Sequence, residues 1–151
     1  MKISTKGRYG LRALIDLALC YCGEPVALYS IANRQGLSVN YLEQIFSMLR
    51  KEGIVKSIKG AQGGYVLAEE ISKIRVGDIL RAIEGEIVLV DESIDELKVD
   101  SSVNYLQLCI QKNVWDKINE SINSVIDHVT LEDLVNKYKL MNTEQHDMYY
   151  I

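Results

Sequence analysis

Proline is almost absent from the 151-residue sequence: Pro25 stands alone, which excludes a Pro-rich linker. Long apolar runs are missing as well. They stop after a handful of residues, too few for a membrane-spanning helix. The opening MKISTKGRYG lacks the apolar stretch of a signal peptide, so a cytoplasmic protein is expected. Cysteine is scarce and odd in number (Cys20, Cys22, Cys109), and a reducing compartment does not favour disulfides. The two histidines, His128 and His146, are isolated and read as surface residues rather than metal ligands. No nucleophile–base pair, phosphate loop or metal-ligand spacing is visible, so no catalytic residue, metal or cofactor is expected, and an enzyme is not expected either.

What is present is ordinary for a globular protein, with 48% apolar and 25% charged residues. The length fits one domain plus an appendage. The formal net charge of −4 points away from nucleic acid until the chain is divided. Residues 1–81 hold 12 Lys and Arg against 7 Asp and Glu, a net of +5. Residues 82–151 hold 5 against 14, a net of −9. A basic half joined to an acidic half is the pattern of a polyanion-binding domain with a separate interaction region.

Helical periodicity covers Ser4 to Cys22, where Leu11, Leu14, Ile15, Ala18 and Cys22 share a stripe and Arg8, Arg12 and Asp16 lie off it. A second helix is predicted from Leu28 to Gln35, closed by Gly36. A third runs from its N-cap Ser38 to Glu52, with Leu42, Ile45, Phe46 and Leu49 inward. Two strands, Ile54–Ile58 and Gly64–Leu67, flank a glycine-bearing tip, and a fourth helix covers Val76–Glu84. Residues 85–102 are acidic and read as a linker loop. A long helix follows from Val103 to His128. Its Trp115, Ile118, Ile122, Val125 and Val129 are spaced 3, 4, 3, 4, a seam suited to self-pairing. Thr130 and Asp133 form a capping-box pattern for a last short helix, Leu131–Tyr138, before a flexible tail at 141–151.

The predicted fold class is therefore mainly α with a small β wing. A winged helix-turn-helix domain (1–84) and an acidic linker (85–102) precede a dimerisation helix with a short terminal helix (103–140). Helix, glycine turn, helix is the core of a helix-turn-helix, and Gly36 supplies the positive φ its turn needs. The outward face of the third helix carries Asn40, Tyr41, Glu43, Gln44, Ser47 and Arg50. Asn40 or Gln44 can pair with adenine, and Glu43 can accept from cytosine N4. Arg50 suits phosphate, as do the wing lysines Lys56 and Lys59. Ser38 and the tip residues Gly60, Ala61 and Gln62 complete the candidate DNA-binding set.

The strings KGRYG (from Lys6), YLEQ (from Tyr41), LRKEGIVKSIKGAQGGY (from Leu49) and TLEDL (from Thr130) resemble the bacterial winged-helix regulators of the Rrf type. The resemblance extends over residues 1–140. It implies a homodimer whose long helices cross and whose paired winged domains read a palindromic operator in double-stranded DNA. By motif position, Asn40, Tyr41, Glu43 and Gln44 become recognition-helix readers, and Lys59 to Gln62 a wing tip in the minor groove. Many members carry Arg where this chain has Lys59, a point charge in place of a planar fork.

Iron–sulfur members of that family place three cysteines in the loop before the long helix. Here residues 85–108 contain none, Cys109 alone falls at the last position, and Lys112 replaces a histidine ligand. One thiolate cannot hold a cluster. The chain is more similar to the cluster-free members that repress cysteine-metabolism genes. That likeness implies cysteine synthase as a co-regulator, reached through the tail Tyr149-Tyr150-Ile151, whose aromatic pair and terminal carboxylate suit peptide capture. The alternative is a redox- or iron–sulfur-responsive regulator of the same family.

Overall fold

The computed structural model describes residues 2–90 and 101–149. Helix α1 (Thr5–Cys20) starts at the Ser4 hydroxyl, which accepts from the Gly7 amide at 3.2 Å. It ends two residues before the expected Cys22, and its Ala13, Leu14 and Leu17 are fully buried. Helix α2 (Leu28–Gln35) stops at Gly36, whose φ of 66° turns the chain left-handed. The Leu37 amide then donates to the Ala32 carbonyl at 2.9 Å. Helix α3 (Val39–Lys51) is capped by Ser38, which accepts from the Tyr41 amide at 3.1 Å. Its inward residues Leu42, Ile45, Phe46 and Leu49 are those the periodicity named.

Strands β1 (Val55–Ile58) and β2 (Gly64–Leu67) pair antiparallel, with Val55 opposite Leu67 and Ile58 opposite Gly64. Ile54 lies outside the strand because its amide bonds to the Leu49 carbonyl at 2.9 Å. The wing has a third rung that the sequence did not announce. Val26 exchanges two backbone bonds with Tyr65, at 3.0 and 2.8 Å. Gly64 makes this possible: a Cβ there would lie 2.3 Å from the Val26 carbonyl oxygen. Tyr65 also meets Phe46 of α3 edge-on, ring centres 4.9 Å apart, which ties the wing to the third helix.

Helix α4 (Val76–Glu84) matches its predicted bounds and lies against α1. After residues 91–100, a helical run opens with α5 (Ser101–Ile110), passes through a π-helical turn (Gln111–Trp115), and continues as α6 (Asp116–His128). Ser101 and Ser102, expected in the linker, belong to α5. Ile122 and Ile126 of α6, and Val129 just after it, pack on Val76, Leu80 and Ile87, a second small core beside the main one. Polar bonds lock the same contact. Arg81 grips Asp127 through two bonds, at 2.8 and 2.9 Å, and Asn123 at 2.6 Å. Asn123 in turn donates to the Ile87 carbonyl at 3.1 Å, and Asn119 accepts from the Leu89 amide at 2.6 Å.

Helix α7 (Leu131–Tyr149) opens with the anticipated capping box. The Thr130 amide donates to Asp133 at 3.0 Å, and the Asp133 amide to the Thr130 hydroxyl at 3.1 Å. Leu131 and Val135 are buried against the winged domain. The helix does not stop at Tyr138. Residues 141–149, expected to be a flexible tail, are helical. No Gly or Pro interrupts 131–149, and Lys, Leu, Met, Glu and Gln there are good helix formers. Residues 139–148 are all exposed.

Candidate nucleic-acid interface

The outward face of α3 is where the amphipathic pattern puts it. Asn40, Glu43, Gln44, Ser47 and Arg50 are exposed, directly opposite the buried stripe. Lys56, Lys59, Gly60, Ala61 and Gln62 are exposed along the wing. The tip closes through a bond from the Gly63 amide to the Gly60 carbonyl at 3.0 Å. Phe46, Tyr65 and Val26 hold these two exposed surfaces in one packed unit.

Two members of the candidate set have other engagements. Ser38 already uses its hydroxyl oxygen as the cap of α3. Tyr41 is half-buried, its ring edge-on to Tyr9 with centres 6.2 Å apart. Behind Tyr9 lies a polar brace missed at the sequence level. The Arg12 guanidinium sits 5.1 Å from the Tyr9 ring centre and donates to the side chain and backbone carbonyl of Gln35, at 3.1 and 3.2 Å. Gln35 donates to Asp16 at 2.8 Å, and Arg34 grips the same carboxylate from 2.7 Å. Asp16, off the apolar stripe, is nevertheless buried. That hydrogen bond raises the Arg34 pKa further, and the brace joins α1, the end of α2 and the start of α3. Its one sequence signal was Arg12 and Asp16 a helical turn apart on the polar side.

The predicted self-pairing seam is divided. Ile122 and Val129 face their own α4, whereas Val125 is 65% exposed. Trp115 and Ile118 are half-buried. The outward apolar stripe lies further back, on Leu106, Ile110 and Val114 at four-residue spacing. Among the tail residues, Tyr149 ends α7, and Tyr150 and Ile151 lie outside the described residues.

The family model for Rrf2, described as an iron-dependent transcriptional regulator, matches residues 3–137. The chain belongs to the Rrf2 family. Its relatives are transcriptional regulators, not enzymes. It is 46% identical to the HTH-type transcriptional regulator CymR of Bacillus subtilis over 89% of each chain. The solved structure of that protein, titled the global cysteine regulator, superposes with a TM-score of 0.73, at 42% identity over 91% of this chain and 98% of the other. IscR of T. potens gives 0.71, at 48% identity over 91% and 88%. IscR of Yersinia enterocolitica is 38% identical over 93% of this chain and 83% of its own. Among the described residues, no helix is long and apolar enough to cross a membrane.

The family description raises iron, and the donor set here does not fit an iron–sulfur cluster. Cys109 is exposed on α5, and its side-chain neighbour is the Asn113 amide at 3.7 Å. Residues 85–108 supply neither Cys nor His. Cys20 ends α1 and Cys22 lies two residues beyond it, on a segment separate from α5.

Proposed function

We propose that the chain is a homodimeric repressor of cysteine and sulfur-metabolism genes that binds a palindromic operator. The observation that carries the DNA reading is the exposed row Asn40, Glu43, Gln44 and Arg50, packed in one unit with the lysine-bearing wing. In this reading α3 enters the major groove. Gln44 and Asn40 read adenine edges, and Glu43 selects cytosine and repels a wrong base. Lys56 and Lys59 neutralise phosphate, with the glycine tip allowing close backbone approach. The exposed Leu106, Ile110, Val114 and Val125 form the face that meets the second copy. The cysteine regulon follows from the likeness to CymR. Cysteine synthase is the co-regulator in this reading, held by Tyr149, Tyr150 and Ile151.

Two measurements test the two halves. Salt-dependent binding to a palindromic operator by a dimer supports the first half; a monomer with no operator preference overturns it. Co-purification with cysteine synthase, lost on deleting Tyr150 and Ile151 while the dimer persists, supports the second. Retained binding after that deletion overturns it. A redox-responsive regulator is the second reading, favoured by the likeness to IscR and by three exposed thiols. Operator binding indifferent to thiol oxidants removes it.

A further inference from the structure

A groove of about 480 Å³ runs between α1, the end of α2 and α7. Its apolar walls are Ile15, Leu19 and Tyr138, and its polar side is formed by Arg12, Arg34 and Asp16. The Asp16 side chain is only 5% exposed, so the groove is backed by a buried charge and not by loose surface residues. Asp16 neutralises Arg34, which leaves one positive charge in excess. Arg12 and Arg34 donate through Nε and Nη2; among the described residues, Nη1 of each has no acceptor. An apolar cleft with a few converging polar donors and one surplus cation is the format of a small-molecule site. A free Nη1 on each of two neighbouring guanidinium groups suits a carboxylate.

We propose that this groove is an effector site for a small monocarboxylate with an apolar body. The carboxylate pairs with Arg12 and Arg34, and the body lies on Ile15, Leu19 and Tyr138. The same Arg12 grips Gln35, the last residue of α2, and stacks on Tyr9, which braces Tyr41 on α3. A ligand that draws Arg12 from Gln35 shifts the turn that aims the recognition helix. This coupling rests on the DNA-binding reading; the site itself does not.

Cys20 lines the groove, whereas Cys22 and Cys109 do not, and all three are exposed. Alkylation of the full chain by iodoacetamide, followed by peptide mass spectrometry, therefore reports occupancy at one place. Millimolar hexanoate is expected to slow Cys20 by about threefold and leave Cys22 and Cys109 unchanged; hexylamine protects none. Arg12→Gln abolishes the protection, Arg12→Lys keeps part of it, and Tyr138→Ala weakens it. Hexanoate also shifts operator affinity in the wild type and not in Arg12→Gln. An unchanged Cys20 rate, equal protection in Arg12→Gln, or protection with unaltered operator affinity overturns the proposal. Absence of operator binding even without hexanoate refutes the DNA reading instead.

Discussion

Replacing Asp127 by Asn breaks the joint between the winged domain and the long helix without removing bulk. Two Arg81–Asp127 bonds, at 2.8 and 2.9 Å, become at most one bond from the guanidinium to a neutral amide oxygen. The side chains are 33% and 29% exposed, so part of the charge is screened. A charge-assisted pair in this setting contributes roughly 1–2 kcal/mol, and Arg81 retains Asn123 as a partner. The expected cost lowers the melting temperature by about 3–6 °C for a chain of this size. The pH dependence has a defined sign. The Arg81 hydrogen bond holds the Asp127 carboxyl below its ordinary value, so its contribution is present above about pH 4 and lost as pH falls through the depressed value. Urea unfolding at fixed protomer concentration, at neutral pH and near pH 3, measures both quantities. The gap between the wild type and Asp127→Asn should be full at neutral pH and smaller in acid. Equal stability at neutral pH, or the same gap at both, refutes the joint.

Other outcomes follow from the same geometry. Lys59→Ala should weaken operator binding across sequences and reduce the salt slope by about one, while Glu43→Ala should relax base preference; mobility-shift titrations at several salt concentrations separate the two. Gly64→Ala should cost roughly 1–3 kcal/mol in thermal or urea unfolding, because its methyl meets the Val26 carbonyl 2.3 Å away. Ile110→Asp should shift the chain from dimer to monomer in light scattering and leave its helical circular dichroism intact, since Ile110 is 39% exposed.

Local signals carried far in this chain. Gly36 and Ser38 marked helix boundaries because caps are local chemistry, and α2, β2 and α4 agree with their predicted spans. The exposed face of α3 was legible because one helix turn settles which side faces water. What failed depends on distance. Asp16 is buried by Arg34 and Gln35, residues on another helix, and no periodicity shows that. The seam from Trp115 to Val129 was visible as a seam, but spacing does not say whether the surface across from it is α4 or a second copy. The π-helical turn adds to the difficulty, since its extra residue rotates Leu106 and Ile110 out of phase with α6. The end of α7 departs from the expected flexible tail because polarity alone does not unwind a segment that holds no helix breaker.

The bridge between Val26 and Tyr65 has a consequence for the entropy of binding. Because β2 is pinned both to the segment entering α2 and to Phe46, the root of the wing is ordered before any ligand arrives. Each backbone residue that must be ordered on binding costs about 1–2 kcal/mol. In the proposed DNA-binding reading, any such cost falls on the short tip at residues 59–63 rather than on its root. Lengthening or stiffening the tip therefore tunes residence time on a polyanion, while the geometry between wing and helix stays the same.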